Sequence, residues 1–81
     1  MPSAATNNMT PLKAAKPGQY VRVADIIGGR DLRGRLCAMG LTPGMAAEIV
    51  STTGGPIVLK VLGSRLMIGH GMAAKIMVRT L

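Results

Sequence analysis

The side chains that most often serve in catalysis are few in this chain of 81 residues: Cys37, His70, Asp25, Asp31 and Glu48. A catalytic thiol needs an imidazole within hydrogen-bond reach, and that imidazole needs a third group to orient it. No carboxylate lies within three residues of His70, and nothing in the sequence brings His70 to Cys37. We therefore predict no catalytic residues and a protein that is not an enzyme.

The same five side chains are the best candidate metal ligands, but their spacing does not favour a site. Ligand pairs such as C-x-x-C or H-x-x-x-H are absent. A site for a divalent transition metal would need several histidines or carboxylates that converge, and one chain does not supply them. The sequence predicts no metal site and no cofactor within one chain. It leaves open an incidental site between two chains through His70, Cys37 or a carboxylate.

Charge is the strongest bias in the composition. Ten Lys and Arg stand against three acidic residues, for a formal net charge of +7. Such a charge favours an acidic protein, an anionic membrane face or a nucleic acid as partner. The basic residues are scattered, and Tyr20 is the only aromatic residue, so the chain offers no platform for base stacking. We expect no nucleic-acid partner.

Length and cysteine content indicate one small domain in a reducing compartment. A single cysteine permits no disulfide within the chain. Lys60, Arg65 and Lys75 interrupt every apolar run that approaches the ~20 residues needed to span a bilayer. Residues 1–11 do not have the pattern of a signal peptide. We expect a cytoplasmic protein that does not insert into the membrane.

A short helix over residues 31–39 is predicted by the apolar stripe Leu32, Leu36 and Met39. Asp31 is the expected N-cap, and Cys37 falls on the helix side opposite the stripe. Gly40 is expected to close the helix in a left-handed conformation, after which Leu41 can fold back onto the last turn. Thr42-Pro43-Gly44 then turns the chain into a strand.

The remainder predicts a mainly β domain with one inserted helix. Residues 1–15 have little to bury and are predicted to be a mobile tail, with one domain over residues 16–81. Gly63-Ser64 is the expected hairpin turn. Five strands are predicted, over residues 19–24, 45–51, 57–62, 65–68 and 75–80. So few short strands bury their apolar faces best as a partly closed five-stranded barrel.

The predicted core combines the helix stripe with the alternating apolar positions of these strands. No Phe or Trp is present, so methionines are expected to fill irregular gaps while some stay exposed. The strand positions assigned to the core are Ile49, Ile57, Leu59, Val61, Leu66, Ile68, Ile76 and Val78.

Several of these segments together resemble the FeoA family of small cytoplasmic components of bacterial ferrous-iron transport. They are Leu36-x-x-Met39-Gly40-Leu41-x-Pro43-Gly44, Gly55-Pro56-Ile57, Leu66-x-Ile68, Ala74 and Ile76-x-Val78. The resemblance covers residues 17–80, and the passage from the helix to Pro43-Gly44 is its most specific element. It implies an SH3-like barrel with one inserted helix. It also implies an accessory role in iron uptake, through binding to the membrane transporter FeoB, which carries a cytoplasmic G-protein domain.

The surface expected to meet this partner lies at one end of the predicted helix. Arg30 and Arg33 fall on the side away from the apolar stripe and close to the Pro43-Gly44 turn. We expect them to face an acidic patch of the transporter, with Leu41 and Pro43 as apolar contacts. A solvated helix face that only keeps the protein soluble is the alternative for these residues. Whether the chain also forms a homo-oligomer stays open.

A second family is a weaker match. Gly18-Gln19-Tyr20-Val21-Arg22-Val23, with Gly28-Gly29 and Gly34, is similar to the KOW motif of barrels that contact RNA. The net charge agrees with this alternative. However, the helix-Gly-Leu-x-Pro-Gly passage has no place in that motif, and no aromatic residue is positioned to stack on a base. A KOW-like RNA-binding barrel is therefore the alternative prediction.

Overall fold

The computed structural model describes residues 9–53 and 55–81. Its main element is one antiparallel sheet of six strands in the order β1-β6-β2-β3-β4-β5. The strands are β1 (Met9–Pro11), β2 (Tyr20–Ile26), β3 (Ala46–Ser51), β4 (Ile57–Val61), β5 (Ser64–Ile68) and β6 (Ile76–Thr80). The edge strands β1 and β5 are not paired with each other, so the barrel is only partly closed, as predicted.

Two helices and one 3₁₀ turn complete the described residues. Helix α1 (Arg30–Ala38) is inserted between β2 and β3, and the one-turn helix α2 (His70–Ala73) precedes β6. The 3₁₀ turn (Leu12–Ala14) follows β1. Only one helix was predicted from the sequence, so α2 was not expected. Within the described residues, no helix is long and apolar enough to cross a membrane.

The sheet has one strand more than predicted, because the segment after Asn8 belongs to the fold. Met9–Pro11 pairs with β6, from Met9 opposite Arg79 to Pro11 opposite Met77. Leu12 then inserts into the core, where its side chain is 1% exposed. The prediction of a tail is thus wrong for residues 9–15. Its first eight residues lie outside the described part of the chain. A single leucine among small and polar residues gives no periodic signal, which explains the error.

Strand β2 runs two residues further than predicted because it contains a bulge. Its register against β6 shifts between Val23 and Asp25. An added residue in one strand reverses the inside–outside alternation beyond it. Val21 and Val23 therefore point into the core before the bulge, and Ile26 points into it after the bulge.

Helix α1 begins differently from the prediction and ends as predicted. Gly29 is the N-cap and makes no side-chain cap bond, so Asp31 is not the cap and lies in the first turn. A carboxylate in the first turn still favours the helix through the macrodipole. At the other end Gly40 has φ +91°, which confirms the left-handed closing residue. Its N–H donates to Cys37 O at 2.9 Å, and the N–H of Leu41 donates to Leu36 O at 2.8 Å. These two bonds form a Schellman motif.

The core lies between α1, the 3₁₀ turn and the inner face of the sheet. The predicted strand positions are buried except for Leu66, which is partly buried, and the helix stripe contributes Leu36 fully and Leu32 and Met39 in part. Partly buried Met45 and Met72 also pack against the core, whereas Met67 is exposed. Buried residues that the sequence analysis did not assign to the core are Leu12, Ala15, Val21, Val23, Ile26, Leu41, Ala47 and Ala73.

Candidate partner-binding surface

Leu41 is not part of any surface. Its side chain is 0% exposed, because the Schellman motif turns the residue after Gly40 back towards the helix and into the core. The expectation that Leu41 offers an apolar contact to a partner is therefore wrong. Pro43 is exposed, at the turn that Met45 N–H closes by donating to Thr42 O at 3.0 Å.

The two arginines predicted at the surface differ in what they contact. Arg33 is half-exposed, but its guanidinium joins the start of α1 to the end of β2. Nη2 donates to Ile26 O at 2.8 Å and Nε donates to Gly28 O at 3.4 Å. Nη2 also lies 3.7 Å from Oδ1 of Asp25. Arg30 is exposed at the first position of the helix. These contacts of the Arg33 side chain within the fold were not predicted from the sequence.

The residues considered for catalysis or metal binding lie on separate elements. Cys37 is exposed on α1, and His70 is exposed at the first position of α2. Glu48 lies on the outer face of β3. Among the described residues, no three side chains of His, Cys, Asp or Glu are grouped as metal ligands would be.

A basic surface that the sequence analysis missed covers the outer face of the sheet. Directly paired residues of antiparallel strands point to the same side. Arg79 of β6 pairs with Arg22 of β2, and Lys60 of β4 pairs with Arg65 of β5. All four side chains are exposed. We call these four residues the outer-face cluster.

The outer-face cluster places like charges opposite each other twice. Like charges at directly opposed positions destabilise a sheet, because their Cβ atoms are only about 5 Å apart. Glu48 is paired with Lys60, so it is the one carboxylate in the cross-strand row that also contains Lys60 and Arg65. Among the described basic residues, only Arg33 lies within 4.0 Å of a carboxylate oxygen. The cluster therefore forms no ion pair with a carboxylate of residues 9–53 or 55–81.

A shallow groove lies on the same face and includes Lys60 of the cluster. Tyr20 of β2 and Leu62 of the β4–β5 turn are the exposed apolar residues of its lining, which we call its walls, with exposed fractions of 56% and 84%. Ala46 also lines the groove, and Glu48 and Lys60 are its charged residues. Tyr20, Glu48 and Lys60 are successive members of one cross-strand row, so the sheet register creates the groove.

Leu62 has an unusual backbone conformation at this groove. The predicted turn Gly63-Ser64 is displaced by one residue, because Val61 pairs with Ser64 and the two turn residues are Leu62 and Gly63. Their φ angles are +52° and +83°, as in a type I′ turn. Asn, Asp and Gly are the usual residues there, since a branched side chain is strained at positive φ. Leu62 is the only such non-glycine residue among those described.

Comparison with known proteins identifies the family. The FeoA domain matches residues 10–80, which include every strand except the first residue of β1. The chain belongs to the FeoA family. The resemblance found from the helix-Gly-Leu-x-Pro-Gly passage is thereby confirmed.

Two FeoA relatives extend over nearly the whole chain. A Methanocaldococcus jannaschii protein with the provisional name Fe(2+) transport protein A is 39% identical over 70 residues, which are 86% of this chain and 85% of that protein. The crystal structure of an iron uptake regulatory protein, FeoA, is 41% identical and has a TM-score of 0.84. That match covers 90% of this chain and 97% of the other. The predicted small SH3-like fold and the link to iron transport are confirmed.

The same fold also occurs within longer proteins. The crystal structure of T. acidophilum IdeR matches with a TM-score of 0.82 and 24% identity, over 90% of this chain but 34% of the other. At this identity the likeness concerns the fold alone. The match therefore assigns no role to residues on the outer face of the sheet.

Proposed function

We propose that this FeoA protein is a non-enzymatic accessory protein of ferrous-iron uptake that acts in the cytoplasm. In this proposal it binds the cytoplasmic part of a FeoB-type membrane transporter. Membership of the FeoA family and the relative named for Fe(2+) transport support the link to iron. The observation that carries the binding role is the outer-face cluster, with its two pairs of opposed cations.

The cluster supports binding because the placement of like charges opposite each other does not favour folding. Exchanging one arginine of either pair for a glutamate would replace repulsion across the strands by attraction. A basic surface kept at a cost in stability fits selection for recognition of an acidic partner. Arg22 has a second contact, since its Nη1 donates to Gly44 O at 2.8 Å next to exposed Pro43. This bond connects the Pro43 turn to the same face.

Arg30 and Arg33 belong to the proposal as a second contact region at the start of α1. Arg30 is the side chain to test there, because it is exposed and no described carboxylate lies within 4.0 Å of it. We expect Arg30→Glu to slow association without loss of folding. Arg33→Glu would also break its bonds to Ile26 and Gly28, so its effect on binding would be mixed with an effect on stability.

Co-purification with the tagged full-length transporter tests the proposed function. Wild-type protein is expected to be retained, and the double variant Arg65→Glu with Arg79→Glu is expected to be retained much less. The matched control is Lys13→Glu with Lys75→Glu, which makes the same change in net charge at exposed positions outside the cluster. The control should behave like the wild type. Failure of the wild type to co-purify would refute the proposed function. Equal losses for both variants would refute the role of the cluster.

A further inference from the structure

The groove between Tyr20 and Leu62 combines exposed apolar walls with a position that is unfavourable for folding. Leu62 is 84% exposed and has φ +52° at the first position of a type I′ turn. An asparagine there would give Asn-Gly, the residue pair that this turn favours most. Neither burial nor turn geometry therefore explains the leucine. Backbone strain that the fold does not need is a feature typical of functional sites.

The surroundings of the groove indicate an acidic occupant. Arg22, Lys60, Arg65 and Arg79 lie on the same face. The carboxylates of that face are Glu48 within the groove and Asp25 near the other end of β2, where it lies 3.7 Å from Arg33. A second copy of this chain would present the same cations in a symmetric contact, which would repel. An acidic polypeptide would be attracted over the whole face.

The lining of the groove distinguishes a polypeptide from a lipid surface. Its lining residues include the carboxylate of Glu48 together with Lys60, Tyr20 and Leu62. A bilayer presents a continuous anionic surface and would bring its phosphates towards the carboxylate of Glu48. A peptide can instead direct one apolar side chain between Tyr20 and Leu62 and one carboxylate to Lys60.

We propose that Tyr20 and Leu62 hold an apolar side chain from an acidic segment of the partner protein, with Lys60 binding a neighbouring carboxylate of that segment. This inference rests on the proposed function, because the acidic segment belongs to the transporter's cytoplasmic part. The inference adds an apolar anchor to the charged surface. Exposed cations act mainly on the rate of association, whereas a buried apolar anchor acts mainly on the rate of dissociation.

Leu62→Asn separates binding from folding. The substitution removes the apolar wall and relieves the strained turn, so the variant should be at least as stable as the wild type. We expect its Kd for the full-length transporter in detergent to rise by about tenfold or more, as burial of a leucine side chain would imply. Tyr20→Ser should weaken binding in the same way. The matched control is Ile27→Asn, at an apolar side chain that is 57% exposed and lies just beyond the other end of β2.

The outcomes separate this inference from the proposed function. Faster dissociation of Leu62→Asn, with Ile27→Asn unchanged, supports the groove. If Leu62→Asn binds with wild-type affinity while the Arg65→Glu/Arg79→Glu variant binds more weakly, the role of the groove is refuted. The transporter remains the partner in that case. No binding of the wild type overturns both. Co-sedimentation with phosphatidylcholine–phosphatidylglycerol vesicles that is lost in Leu62→Asn would assign the groove to a membrane and overturn the inference.

Discussion

The C-terminal end of helix α1 allows a test in which one type of substitution has opposite effects at two glycines. Gly40 has φ +91° in the Schellman motif, whereas Gly34 lies inside the helix. A Cβ atom at Gly40 would meet Val61 Cγ1 at 3.9 Å, which is an ordinary contact, and a Cβ atom at Gly34 would meet nothing within 4 Å. Neither alanine would clash. The backbone conformation alone then decides the sign of each effect.

The magnitudes follow from that difference. An L-residue in the left-handed region costs about 1–2 kcal/mol. The lower entropy of the unfolded alanine chain returns about 0.4–1 kcal/mol of this. Gly40→Ala should therefore lower the free energy of unfolding by about 1 kcal/mol. Gly34→Ala should raise it by about 0.5–1 kcal/mol, the gain of alanine over glycine inside a helix.

The assay is urea denaturation of both variants and of the wild type. If the three m-values are equal, a shift of the midpoint reports a change in the free energy of unfolding. In a domain of this size, a change of 1 kcal/mol moves Tm by about 4–8 °C, so the two variants should melt on opposite sides of the wild type. A Gly40→Ala variant as stable as the wild type, or more stable, would contradict the assigned helix end. A destabilised Gly34→Ala variant would contradict its position in an exposed helix interior.

Four further substitutions test other parts of the fold by the same denaturation assay. Leu36→Ala should cost about 2–5 kcal/mol, because Leu36 is 0% exposed beneath the sheet, and an unchanged midpoint would mean that the helix stripe does not face the core. Leu62→Asn should stabilise by about 1 kcal/mol, since asparagine tolerates positive φ, and a loss of stability would contradict the type I′ turn. Arg33→Ala should cost about 1 kcal/mol through its bonds to the end of β2, whereas Arg30→Ala should be nearly neutral, and equal effects would contradict those bonds.

Features set by neighbouring residues could be predicted from the sequence. Gly40 and the Pro43-Gly44 turn are local signals, because glycine permits positive φ and proline fixes φ. The end of α1 and the turn into β3 were therefore located correctly. The strand alternation of Ile57, Leu59 and Val61 is local in the same sense, and it identified the buried face of β4.

Features that depend on pairing between distant segments could not be predicted. β1 contains no apolar pattern, and its strand conformation depends on pairing with β6. The outer-face cluster exists because the register sets Arg22 opposite Arg79 and Lys60 opposite Arg65. Sequence alone shows that these residues are basic, not that they are neighbours. The candidate surface on the sheet was therefore not predicted, whereas the contact region at the start of α1 was.

The most direct test of the central claim, that this FeoA protein binds its transporter through a basic face, is the ionic-strength dependence of the association rate. Exposed charges are screened over about 8 Å at physiological ionic strength, so steering by the cluster weakens as salt is added. We predict that the wild-type rate constant falls steeply with salt. The Arg65→Glu/Arg79→Glu variant should associate more slowly at low salt, with a weaker salt dependence. Identical rates and salt dependence for the two proteins would contradict the account.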